Sequence, residues 1–122
     1  MQTLTLTQAQ KIISGALAKS KERGFKPMGV AVLDAGGNLK AFASEDGASM
    51  FRFDIARAKD NPNFFVALAA VGDGKFVPQT GAVLIKDAAG NLLGAVGASG
   101  GTGDEDEEIC AAGVQAAGLV AG

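Results

Sequence analysis

Histidine is absent from this 122-residue chain, as are tryptophan and tyrosine. Without histidine the chain lacks the commonest general base and the commonest metal ligand, and neither a Ser-His-Asp nor a Cys-His catalytic arrangement can be built. A single cysteine, Cys110, excludes an intramolecular disulfide and fits a reducing cytoplasm. No apolar run approaches the roughly 18 residues needed to cross a bilayer. No basic segment precedes an apolar stretch at the N-terminus, so no signal peptide is expected. Eleven Lys and Arg against thirteen Asp and Glu leave a formal charge of −2, with no basic stripe. The chain therefore carries no electrostatic footprint for nucleic acid and no feature for membrane association.

What is present is apolar and small. Hydrophobic residues make up 48% of the chain, there are 18 glycines, and the aromatic set is seven phenylalanines. This length supports one core, so residues 1–122 are read as a single domain. Small side chains let elements approach closely but bury little area each, which favours association with further copies of the chain.

The pattern along the chain predicts helix, hairpin, helices, hairpin, helix. Ala9, Ile12, Ile13, Ala16 and Leu17 follow helical spacing over about 7–22, with Thr7 as cap, Gln10 completing a capping box and Gly24 as the stop. The run 30–33 and its return 39–43 flank Asp34-Ala-Gly-Gly-Asn38, which is turn chemistry. A helix is predicted over 50–60 and another over 64–71, broken by Asn61-Pro62-Asn63. A second hairpin joins 82–85 to 92–96 through Asp87-Ala-Ala-Gly-Asn91, and Gly94 and Gly97 suggest a bulge or a close backbone approach. The last helix is predicted over 104–119, its first turn holding the acidic cluster Asp104 to Glu108. The likeness of the two turns is read as repeated turn chemistry rather than duplication. An antiparallel sheet covered by helices satisfies this order.

Three segments carry a family resemblance. Gly94-Ala-Val-Gly-Ala-Ser-Gly-Gly101, followed by Asp104-Glu105 and Ala111-Ala-Gly113, resembles a G-A-(I/V)-G-V-S-G-G, D-E, A-x-A-G pattern. Val30-Ala-Val-Leu-Asp-Ala-Gly-Gly-Asn-Leu39 is similar to V-A-V-V-D-x-G-G-x-L, and Asp54-Ile-Ala-Arg-Ala-Lys59 to D-I-A-x-x-K. Together these resemble the GlcG/HbpS-like family, which includes haem-binding and PduO C-terminal-like domains. The resemblance implies an α+β fold of the profilin-like kind, with about five antiparallel strands flanked by helices. It also implies dimers or larger homo-oligomers and a small-molecule ligand, haem among the candidates. Two segments depart from the pattern. Pro78-Gln-Thr-Gly81 stands where P-G-G-(V/I)-P-I is usual, and Lys59-Asp-Asn-Pro-Asn63 replaces a K-A-x-T-A continuation.

The candidate site residues follow from these matches. Cys110 offers a thiolate to haem iron, or alternatively a small hydrophobe to an Ala-rich helix. Asp54 and Lys59 can contact an anionic ligand or metal, or serve as a helix cap and a solvated lysine. Phe51 can line an apolar pocket or fill core, and Arg52 can meet propionates or lie in solvent. Ser99, Gly100 and Gly101 lead into a helix N-terminus whose amides can cradle an anion, or form a tight turn. Two other readings compete with ligand binding. One is an enzyme, or enzyme subunit, acting on a small hydroxy acid, with Asp54 or a carboxylate of the acidic cluster as base and Lys or Arg holding the anion. The other is a structural oligomer-forming module built on Ile109, Ala112, Gly113 and Ala116.

Overall fold

Five strands and two helices account for residues 3–48 and 82–122, which the computed structural model describes. Helix α1 spans Leu6–Arg23, β1 Gly29–Asp34, β2 Leu39–Ser44, β3 Ala82–Lys86, β4 Leu92–Ser99, α2 Gly103–Ala116 and β5 Val120–Ala121. The strands form one sheet in the order β2-β1-β4-β3-β5, every pairing antiparallel. The fold is α+β, as expected. The helices predicted over 50–60 and 64–71 lie outside the described residues. Among the described residues, no helix is long and apolar enough to cross a membrane.

Helix α1 begins at Leu6, one residue before the predicted start, and its cap lies two residues earlier than predicted. Thr5, not Thr7, is its cap: Thr5 Oγ1 accepts from the Gln8 amide at 3.0 Å and Gln8 Oε1 accepts from the Thr5 amide at 3.0 Å. The box needs a Gln three residues after the cap, and Gln8 supplies the same spacing to Thr5 that Gln10 supplies to Thr7. Its C-terminal end falls at Gly24, as predicted.

Both aspartate turns are built alike. Asp34 Oδ1 accepts from the amides of Gly36 (3.0 Å) and Asn38 (2.9 Å), and Asp87 Oδ1 from those of Ala89 (3.0 Å) and Asn91 (2.9 Å). These bonds favour the charged carboxylate. The Asn38 amide chiefly holds Asp34 below its ordinary range, and the Asn91 side chain does so for Asp87.

The core lies between one face of the sheet and the two helices. Helix α1 rests on β1 and β2, helix α2 on β3 and β4, and the helices pack side by side. Val30 and Val32 of β1, Val83 and Ile85 of β3, and Val96 and Ala98 of β4 meet Ile12, Ala16, Ile109 and Val114 from above. Each fully buried Ile or Val contributes about 1.5–3 kcal/mol. Every position of β1 from Gly29 to Leu33 is buried, which explains its unbroken apolar run.

Close backbone approaches explain two glycines. A Cβ on Gly94 would meet the Leu33 carbonyl oxygen of the neighbouring strand, so close approach is the reason for that glycine. A Cβ on Gly113 would meet the Ile12 carbonyl oxygen and, at 3.0 Å, the Ala16 nitrogen. The Ala/Gly stripe of α2 thus packs against α1 of the same chain. Of the residues named for a subunit contact, Ile109 and Gly113 are buried within the chain, whereas Ala112 is half-buried and Ala116 exposed.

Helix α2 also ends earlier than predicted. Leu119 donates its amide to the Val114 carbonyl at 3.1 Å, closing the helix through Gly118 at φ +78°, a conformation L side chains rarely adopt. The chain is thereby released to form β5, where Ala121 faces Ile85 and Val120 faces Lys86.

Candidate functional site

The segment Ser99–Thr102 connects β4 to α2 at the end of the sheet where β1 begins, since Ser99 pairs with Gly29. Three sequence-predicted residues, Ser99, Gly100 and Gly101, sit together here. Gly100 has φ +136°, and a Cβ on it would meet the Pro27 carbonyl oxygen and lie 3.2 Å from Met28 Sδ. A Cβ on Gly101 would lie 2.7 Å from Met28 Cε and 2.7 Å from Glu105 Oε1. The loop is therefore clamped onto Met28, and a side chain at either glycine would displace it.

Two of its amides are already engaged. Gly101 donates to Asp106 Oδ1 at 3.1 Å and Thr102 donates to Glu105 Oε1 at 3.0 Å. Thr102 Oγ1 accepts from the Glu105 amide at 3.1 Å, completing a capping box. Two carboxylates of the same helix thus occupy donors that an anion cradle would need. Among the described residues, the acidic cluster does not gather three ligands suited to a metal ion.

Asp106 is the buried carboxylate beside this loop that sequence reasoning missed. It is 6% exposed, and burial, reinforced by the charge of Glu105, pushes its pKa up to about 7 against the opposing bond from Gly101. It shares the inward face of α2 with Ile109, Cys110, Gly113 and Val114. That i, i+3, i+4, i+7 spacing was a readable signal.

Cys110 lies in the core with no exposed surface. Burial raises its thiol well above the ordinary value, and the nearby carboxylates of Asp106 and Glu107 raise it further. The side chain is held as a neutral thiol packed among apolar neighbours. That placement matches the hydrophobe alternative and works against an iron-ligating thiolate. Phe51, Arg52, Asp54 and Lys59 lie outside the described residues.

The folded chain is similar to several solved structures. A PduOC–heme complex superposes with a TM-score of 0.73 at 18% identity, covering 97% of each chain. A double mutant of HbpS from Streptomyces reticuli gives 0.68 at 25% identity, covering 94% of this chain and 87% of that one. The Klebsiella pneumoniae protein ORFY gives 0.69 at 21% identity, covering 97% and 92%. No curated protein matches the sequence. The family of haem-degrading HbpS-like proteins matches residues 4–115, nearly the whole domain including β4, its glycine loop and α2, and the chain belongs to that family.

Proposed function

We propose that this protein is a small-molecule-binding accessory protein whose ligand is haem. The observation that carries the reading is the family match over residues 4–115. A structure of the same fold that holds heme supports it. In this reading the ligand lies near α2 and the Ser99-Gly100-Gly101 loop. Phe51 offers an apolar contact, and Arg52 and Lys59 offer cations to the propionates.

The described residues suit a porphyrin's iron poorly. Histidine is absent from the chain, and the Cys110 thiol is enclosed and neutral. Haem held chiefly by apolar and propionate contacts is consistent with both facts. Bound haem would supply the redox chemistry of its iron, while this chain would orient the macrocycle and limit its contact with water.

The test is a titration with ferric haem followed by absorption, with Cys110→Ser in parallel. The proposal expects a saturable one-to-one spectral change that survives the substitution. A change abolished in a folded Cys110→Ser protein would restore Cys110 as the iron ligand. A spectrum that never saturates would remove haem as the ligand.

A further inference from the structure

The far end of the sheet from the glycine loop carries a second cavity. Strand β1 runs from Gly29, beside Ser99, to Asp34, beside Gly94, so its exit and both aspartate turns lie at the opposite end. There a cleft of about 690 Å³ opens between the first turn, Asn91-Leu92 and the segment entering α1. Its volume lies within the range of about 300–1,000 Å³ usual for ligand sites. Half-buried Leu92 gives it an apolar floor, backed by Leu4 and Leu93, which are almost wholly buried.

Two opposite charges face this cleft without meeting. Lys40 lowers the pKa of Asp34 electrostatically, yet the ion pairs among the described residues are Lys19–Glu22 and Arg23–Glu108. Among the described residues, Lys40 Nζ therefore keeps its donors for another acceptor. Asp34 Oδ1 is committed to the Gly36 and Asn38 amides, but Oδ2 has only a long 3.4 Å contact from Asn38 Nδ2. One cation and one carboxylate oxygen are thus held apart over an apolar floor. A ligand with a single charge would satisfy one of them and be repelled by the other.

We propose that this cleft binds a small zwitterion with an apolar side chain, of the amino-acid class. Its carboxylate meets Lys40 Nζ, its ammonium meets Asp34 Oδ2, and its side chain covers Leu92. The site is separate from the haem reading and stands or falls without it.

The test follows backbone amide resonances of the full chain during addition of L-leucine. Its two half-molecules, 4-methylpentanoate and isoamylamine, serve as controls. Saturable shifts at Asn38, Lys40 and Leu92 are expected, with affinity about tenfold lower for either control, the scale of one charge-assisted hydrogen bond. Lys40 is exposed, so Lys40→Gln and Lys40→Glu should fold and both should lose binding. Absence of saturable shifts overturns the proposal. So does equal binding of either half-molecule, or leucine binding retained in both variants.

Discussion

Replacing Asp106 with Asn should raise stability at alkaline pH relative to its effect in acid. Asp106 is buried, and its pKa is raised from the ordinary 3.8 to about 7, chiefly by loss of solvation. In the unfolded chain the carboxyl ionises near its ordinary value, whereas in the folded protein it keeps its proton. Between these two values the unfolded state binds fewer protons, so stability falls as pH rises. Above about 7 both states are ionised and the cost is constant. Each tenfold change in proton affinity is worth about 1.4 kcal/mol, which sets a ceiling of about 4 kcal/mol on that cost. Asn keeps an oxygen to accept from Gly101 and cannot ionise, but it buries amide hydrogens that cost about 1–3 kcal/mol if unpaired. The stability of the mutant relative to its parent should therefore be up to about 4 kcal/mol greater at pH 8 than at pH 4, because the pH-independent amide term cancels between the two. Urea unfolding of both proteins at the two pH values, followed by far-ultraviolet circular dichroism, isolates the difference. A difference between mutant and parent that is the same at pH 4 and pH 8 would refute the reasoning.

Three further outcomes follow from the packing. Gly113→Ala pushes a methyl group onto the Ile12 carbonyl and should cost about 1–3 kcal/mol, seen as a lowered Tm; an unchanged Tm would contradict the close α1–α2 approach. Thr102→Ala removes the cap of α2 and should cost about 1 kcal/mol in urea unfolding, with Thr102→Ser restoring most of it. Cys110 should resist an aromatic disulfide reagent in the native protein and react only at the rate of unfolding; rapid modification without unfolding would show that the thiol is reachable.

Much of this fold is written locally. The two Asp-to-Asn turns announced themselves because the same side chain must bond the same amides in each. The apolar run of β1 announced a strand buried along its length. Strand β5 was hidden, because two residues carry no periodicity and its pairing to β3 depends on where Gly118 turns the chain. The Thr5 cap was hidden by a second Thr–Gln pair two residues later. At the site, sequence motifs located the Ser99-Gly100-Gly101 loop but not what fills it. The carboxylates that take its amides, Glu105 and Asp106, read as part of a solvated acidic turn until α2 packed and rotated Asp106 inward. The Lys40–Asp34 cleft was likewise invisible, since it needs strand β2 and the second hairpin brought to one end of the sheet.

The central claim is that the chain binds haem beside α2, and mapping the ligand tests it most directly. Gallium(III) protoporphyrin, a diamagnetic stand-in for ferric haem, should perturb amide resonances at Ser99, Gly100, Gly101 and the first turn of α2 in a saturable manner. The amides of Gly36, Asn38 and Asn91 at the far end of the sheet should stay in place. Saturable perturbation confined to those turns, or none anywhere, would contradict the account.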